Sequence, residues 1–381
     1  MSDFESFVSQ AESLSELVAT ESPNQADRTR RILSMEEVYA LRQIVLTGSG
    51  DSHIAGMAVA PVLRGLTGVP TMAMPAMEAA RYLDGSLSAG RGSARGTLVI
   101  GISSSGEATR LVEAIRRLRA AGALTLGVTA NAESRLGQAA ERQLDISIPS
   151  APPAPGTRSY LASLLGVLHL AIRIAEMRLA ITMDVAEAMR ARLTATSDDL
   201  ASAFQAASKV CDAAPIDWTA VQSADVLGSG PLFASASYGA AKLVEAAGLH
   251  AVAQDAEEFH HLNYFTDQPT SVPAILYASA AGNAASRKTE LLNALAQLGR
   301  PTLVIADDDA FAGTGTLIKV PQVPEYAAPI LHAAPAALIA AHAAKVRGVT
   351  HYRGHTGPWA GAQGAGLVRN SKIIEEPFDQ C

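Results

Sequence analysis

A short apolar run that ends in Gly-Ser-Gly and opens a helix occurs twice in this chain, as Ile44-Val-Leu-Thr-Gly-Ser-Gly50 and as Ala224-Asp-Val-Leu-Gly-Ser-Gly230. A strand that stops on glycines and turns directly into a helix points to a parallel sheet, because parallel neighbours need a crossover and the usual crossover is a helix. The pattern continues around each copy. In the first half, Gln43 to Thr47, Thr97 to Ile102, Leu124 to Thr129 and Leu144 to Ile148 read as strands, and Ser52 to Leu66 and Thr109 to Ala121 have helical spacing. A proline-rich turn, Ala151 to Pro155, leads into an apolar helix from Arg158 to Met177. In the second half, Ala274 to Ala278 and Thr302 to Ile305 read as strands. Tyr326 to Val346 reads as an alanine-rich helix in the place that Arg158 to Met177 holds in the first half. The expected class is α/β: one fold used twice, each copy a doubly wound, flavodoxin-like parallel sheet flanked by helices. The expected boundaries are a helical leader over 1–40 broken at Ser22 to Asn24, a first domain over 41–183, a helical connector over 184–214, a second domain over 215–348, and a glycine-rich segment with a tail over 349–381.

Composition narrows the function. The chain has 381 residues, 48% of them apolar and 18% charged, which is too apolar for a disordered chain. Its net charge of −7, with no basic run, gives no electrostatic footprint for nucleic acid or an anionic membrane. The first residues are polar and acidic, unlike a secretory signal, and the apolar stretch Tyr160 to Glu176 carries His169 and Arg173 and reads as too short to span a bilayer. A cytoplasmic protein is expected. Two cysteines, Cys211 and Cys381, make neither a disulfide framework nor a cysteine metal site. The lysines number only six (Lys209, Lys242, Lys288, Lys319, Lys345 and Lys372), so few side chains are candidates for amine chemistry.

The sharpest local signal is Ser103-Ser-Ser-Gly-Glu-Ala-Thr109, at the junction of a strand and a helix. Unpaired N–H groups at a helix start favour an anion, the hydroxyls of Ser103, Ser104 and Ser105 add donors, and Gly106 lets the backbone curl. Such a cradle holds a phosphate without cationic side chains. Serines also cap helices, but three in a row favour the cradle. Gly48-Ser-Gly-Asp-Ser52 reads as a second donor loop, with Ser49, Gly50 and Ser52 facing the same ligand. It is an incomplete dinucleotide fingerprint, since His53 stands where the third glycine belongs, and the Walker pattern is absent, so no nucleotide cofactor is expected. Lys242 and Glu245 share a helix face at i, i+3. They form either a surface ion pair or, if partly buried, an acid–base pair. Glu257-Glu-Phe-His-His261 concentrates acids and histidines without metal-ligand spacing, and the acids are expected to raise the pKa of one histidine.

These residues resemble the sugar isomerase (SIS) domain family, specifically the isomerase half of glucosamine–fructose-6-phosphate aminotransferase, from about Ile44 to Gly348 plus a stretch of the tail. The family's phosphate loop Ser-Gln-Ser-Gly-Glu-Thr is similar to Ser103 through Ala108, its Cys-Gly-Thr-Ser loop to Ser49 through Ser52, its Gly-Ala-Leu-Lys-Leu-Lys-Glu to Gly239 through Glu245, and its Glu-Leu-Lys-His to Glu258 through His261. Ala328-Pro-Ile330 and the helix after it match as well. The resemblance implies two tandem SIS domains in a homodimer. It assigns phosphate binding to Ser52, Ser103, Ser104 and Ser105, and C1/C2 proton transfer to Glu245. His261 would assist ring opening from the partner subunit, and Lys242 would hold substrate oxygens. Arg369-Asn-Ser-Lys372 resembles the family's Arg-Asn-Leu-Ala-Lys with one residue fewer, which makes Lys372 the candidate for an imine with the open-chain sugar.

The departures shape the expected reaction. Ala108 stands in place of the loop threonine and Thr109 follows it. Leu262-Asn263 replaces Gly-Pro, Gly156-Thr-Arg-Ser159 lacks the usual preceding glutamate, and a glycine-rich insertion precedes Arg369. No glutaminase domain precedes the repeat, so glutamine-dependent amination is not expected. The expectation is an isomerising deaminase or deglycase of a hexosamine 6-phosphate type substrate. A phosphosugar isomerase without deamination and a non-catalytic phosphosugar-binding protein are the alternatives.

Overall fold

The computed structural model describes residues 2–83, 96–313, 315–351, 353, 356–360 and 364–375, so parts of the glycine-rich segment and the tail, with Cys381, lie outside the described residues. Ten strands form two sheets. The first five are β1 (Gln43–Gly48), β2 (Thr71–Pro75), β3 (Thr97–Ile102), β4 (Leu124–Thr129) and β5 (Arg142–Asp145). The second five are β6 (Ser223–Gly228), β7 (His250–Asp255), β8 (Ala274–Ala278), β9 (Thr302–Ala306) and β10 (Thr316–Lys319). All pairings are parallel. The first sheet runs β2-β1-β3-β4-β5, and the second, from its other edge, runs β7-β6-β8-β9-β10. This is one topology twice, the flavodoxin-like order expected from the repeated sequence pattern. Strands β3, β4 and β8 are buried along their whole length, as parallel strands covered on both faces must be, which is why they read as unbroken apolar runs.

In such a sheet ligands sit beyond the carboxyl ends of the strands where the order reverses. That place is between β1 and β3 in one sheet and between β6 and β8 in the other. The four loops that follow those strands therefore position any site.

The chain divides into two compact units, each gathered from distant segments: Thr20–Pro149, Ala162–Thr194 and Arg353–Cys381 around the first sheet, and Met1–Ala19, Ser150–Leu161 and Ala195–Tyr352 around the second. Each has its own core. Val45, Val99, Leu111, Ile115 and Leu136 anchor one; Leu227, Leu276, Leu291, Val304 and Phe311 anchor the other.

Several expectations change. The helix Leu14–Arg28 runs through Ser22 to Asn24 with Pro23 inside it. Ser22 is fully buried and bonded to His169 Nε2 at 2.9 Å and to Thr194 Oγ1 at 2.9 Å, so packing outweighs the local breaker. The alanine-rich stretch is two helices, Ala328–Leu331 and Ala333–Arg347. Strands β2, β7 and β10, at sheet edges, had no clear sequence signal, and the strand expected over Leu144 to Ile148 is Arg142–Asp145. By length and composition the helix Arg158–Met177 and the nearly continuous helical stretch Ala328–Arg347 do suffice to cross a membrane. The most apolar windows of the two are 89% and 78% buried inside the protein, which marks them as core helices.

Candidate functional site

Beyond β3 the backbone turns through Ser103–Ala108 into the helix Thr109–Ala120, whose N-cap, Ala108, makes no side-chain cap bond. The Gly106 amide donates to both the carbonyl and the hydroxyl oxygen of Ser103, at 3.1 Å each. From the adjacent strand end, Thr129 Oγ1 (3.2 Å) and the Ala130 amide (3.0 Å) hold the Ser104 carbonyl. The loop is thus pinned by its carbonyl side, and the Ser104 and Ser105 amides have no acceptor among the described residues. Gly106 has φ of +70°, and a Cβ there would lie 1.9 Å from Ser134 Oγ, so this turn requires glycine. Ser104 is half-buried and Ser105 exposed, whereas Thr109 is fully buried and its hydroxyl has no partner. The neighbouring loop carries exposed Ser49 and Gly50 and half-buried Ser52 at the start of the helix Asp51–Thr67. Ser49, Gly50, Ser52 and the serine loop thus belong to one unit, at its switch point.

The second unit repeats the construction. Gly230 has φ 60° and ψ −134°, against 55° and −132° at Gly50, and each is the N-cap of its helix. After β8, Ser279 and Gly282 take the places of Ser103 and Gly106 before the helix Ala285–Gln297. The strand registers pair Ile102 with Val128 and Ala278 with Ala306, so Asp307 occupies the position of Thr129. Here the cradle is filled. The Asp307 carboxylate accepts from Ser279 Oγ at 2.6 Å and from the Ala280 amide, the counterpart of the Ser104 amide, at 2.7 Å. Below the loop lies Lys288, buried, with no hydrogen-bond acceptor among the described residues. Burial lowers its pKa to about 8 in spite of Glu325, Asp307 and Asp255.

The helix Pro231–Ala247 carries Lys242 and Glu245. Lys242 is 0% exposed, and its Nζ donates to Glu245 Oε2 at 2.6 Å and to the Gly156 carbonyl at 3.1 Å, with the Tyr238 ring 5.0 Å away. Tyr238 stacks on Tyr160 at 4.1 Å and donates its hydroxyl to the same carbonyl. The segment Gly156-Thr-Arg-Ser159 thus helps to hold the lysine. Burial falls on the lysine rather than on the carboxylate, whose side chain is 44% exposed. The pair is a buried cation that orients an accessible base. His261, in the same unit, is 63% exposed and faces Glu257 at 3.4 Å. Its neighbour His260 turns inward beside Phe259. Its pKa is lowered, against the expectation, because burial and then Arg287 outweigh the opposite effect of Glu257 and Glu290.

Lys372 lies in the first-sheet unit with its side chain exposed, on a tail that crosses the helix Thr109–Ala120. Each unit therefore brings its own candidates together: the serine loops and Lys372 in one, and Lys242, Glu245 and His261 in the other. Among the described residues no cluster of His, Cys, Asp and Glu is suited to a metal.

Residues 37–173 match the SIS domain family model. Over 325 residues the chain is 26% identical to the isomerizing glutamine–fructose-6-phosphate aminotransferase of Gloeobacter violaceus, covering 83% of this chain and 51% of that protein. The chain spans about half the length of the curated relatives it matches. Among solved structures, the C-terminal domain of glucosamine-fructose-6-phosphate aminotransferase from Francisella tularensis superposes with a TM-score of 0.79 at 17% identity, covering 91% of this chain and 97% of that one. Glucosamine-6-phosphate deaminase from Thermotoga maritima superposes with a TM-score of 0.69 at 18% identity, covering 91% and 95%. Over most of its length the chain is thus similar to these aminotransferases, and its fold is that of their C-terminal domain.

Within the SIS fold, the spacing of motifs did not single out Asp307 or Lys288. A signal existed. Once the two Gly-Ser-Gly copies are aligned, Ser279-x-x-Gly282 repeats Ser103-x-x-Gly106, and the next strand end offers Asp307 against Thr129.

Proposed function

We propose that this chain is a phosphosugar isomerase of the SIS type that acts on an amino-sugar phosphate, as an isomerising deaminase or deglycase of a hexosamine 6-phosphate type substrate. One observation carries the phosphate assignment. In the second unit the loop after β8 binds a carboxylate through one amide and one serine hydroxyl, and in the first unit the same loop offers those groups with no acid among the described residues to take them. A cradle that holds an anion when its own chain supplies one is suited to the phosphate of a ligand when its chain does not.

The chemistry follows from the other residues. His261, from the partner subunit of a homodimer, assists ring opening. Glu245 takes the C2 proton of the open-chain 2-amino aldose and returns it at C1 through an enolamine, while Lys242 holds the carboxylate in place and balances its charge. The product is the imine of the ketose, which water hydrolyses to the ketose phosphate and ammonia. The Lys372 amine forms an imine with the carbonyl carbon of the open-chain ketose, with loss of water. A cytoplasmic setting fits the buried free thiol of Cys211, which burial and Asp212 push up to about 12.

The test is incubation with glucosamine 6-phosphate and assay of ammonia and fructose 6-phosphate. Both are expected in equal amounts; fructose-type product without ammonia would leave the plain isomerase, and no turnover of any amino-sugar phosphate would sink the reading. Glu245→Gln is expected to lower kcat by about 10²–10⁴ while sparing ligand binding. Borohydride trapping with substrate is expected to label Lys372. Label at Lys288 instead would move the carbonyl chemistry to the second crevice.

A further inference from the structure

The helix that begins at the serine loop also carries a buried carboxylate, and what it binds is the tail. Glu113 is fully buried. It accepts from Arg81 Nε at 2.9 Å, from Arg110, and from the Ile374 amide at 2.9 Å. Burial alone would raise its pKa, but Arg81, the Ile374 amide and Arg110 hold it below the usual carboxylate range. Arg110 continues to the tail, donating to Ser371 Oγ at 3.0 Å and to the Lys372 carbonyl. Arg117 donates to the Ile374 carbonyl at 3.3 Å, and Arg135 to the Arg369 carbonyl at 2.9 Å. Ile373 packs on the first core. The peptide is thus held on both sides of residue 372, while the Lys372 side chain stays exposed.

We propose that Glu113, with Arg81 and Arg110, is a clasp that fixes Ser371–Glu375 on the phosphate-loop helix and thereby positions Lys372. Its role in turnover rests on the reading of Lys372 above; the clasp itself does not. Glu113 is a positioning residue. A buried carboxylate with two guanidinium partners and one amide from a tail hundreds of residues away is more than a helix-packing pair needs, because the arginines alone would balance its charge. Arg116 and Glu375, at 2.8 Å, add an exposed pair of little weight.

Two variants test this in the full chain. Glu113→Gln removes the charge. Ile374→Pro removes the amide donor, with the half-buried Ile374 side chain and some backbone freedom at Ile373, and leaves every buried residue of the core unchanged, so it remains informative if the first variant folds poorly. Both are expected to speed hydrogen exchange of the remaining tail amides and tryptic cleavage after Lys372 by about tenfold or more. In both, inorganic phosphate is expected to bind as it does to the unmodified chain, while kcat with the sugar phosphate and the borohydride label at Lys372 fall together. Unchanged exchange and cleavage in Ile374→Pro would overturn the clasp. Faster exchange with unchanged kcat and labelling would overturn the positioning role. If the unmodified chain traps no label at Lys372 yet both variants free the tail, the reading of Lys372 fails and the clasp stands.

Discussion

The loop after β3 and the loop after β8 are the same turn with opposite contents. Each leaves a buried strand, places a serine first and a glycine three residues on, and enters a helix without a side-chain cap. Thr129 holds the first loop by its carbonyl side; Asp307 reaches into the second and takes the amide and hydroxyl that the first keeps available. On the proposed function, one residue at a strand end decides whether the repeated cradle is a site or a structural bond.

What the two units share is testable by acid. Each buries a neutral histidine on a serine hydroxyl, His169 on Ser22 at 2.9 Å and His332 on Ser235 at 3.0 Å, and burial lowers both pKa values to about 3. Below about 6.5 the unfolded chain takes up protons that the folded chain refuses. Stability is therefore fully present above that pH and falls as the pH drops towards about 3, by about 1.4 kcal/mol per histidine per pH unit. His169→Gln and His332→Gln should each flatten the denaturation–pH slope to a similar degree. A slope changed by only one of them would show that the likeness stops at the loops.

The next effect separates the units. Gly106→Ala places a methyl group against Ser134, the cap of the helix Arg135–Ala139, in a left-handed conformation, and should cost about 2–3 kcal/mol along with phosphate binding. At Gly282 the nearest atoms to an added Cβ are 3.3 Å away, so Gly282→Ala should change stability by under about 1 kcal/mol. Equal effects in chemical denaturation would contradict the close approach at Gly106. Smaller still, Asp307→Asn keeps the shape and loses the charge, and should destabilise by about 1–2 kcal/mol. A neutral or stabilising result would mean that the second cradle does not depend on its carboxylate.

Much of this was legible in the sequence because the central strands are mostly apolar and the glycine-serine turns recur. The edge strands were harder to find. β2 ends in Pro75, β7 mixes His250, Gln254 and Asp255 with its apolar residues, and β10 has four residues, since an edge need not be apolar on both faces. Ser22 looked like part of a break because its partners, His169 and Thr194, are distant in the chain. The same is true of the tail: Glu113 and Ile374 are separated by 261 residues, and no local spacing can announce such a bond. The serine loop was visible as a motif, but the use of its groups became meaningful only beside the second loop, where Asp307 takes them.

The account turns on which loop takes the anion, and amide NMR during a titration of the unmodified chain with inorganic phosphate measures that directly. Saturable shifts at Ser104, Ser105 and Gly106, with Ala280 and Gly282 unmoved over the same range, are the predicted result. Shifts at Ala280 and Gly282, or none at Ser104 and Ser105, would contradict it.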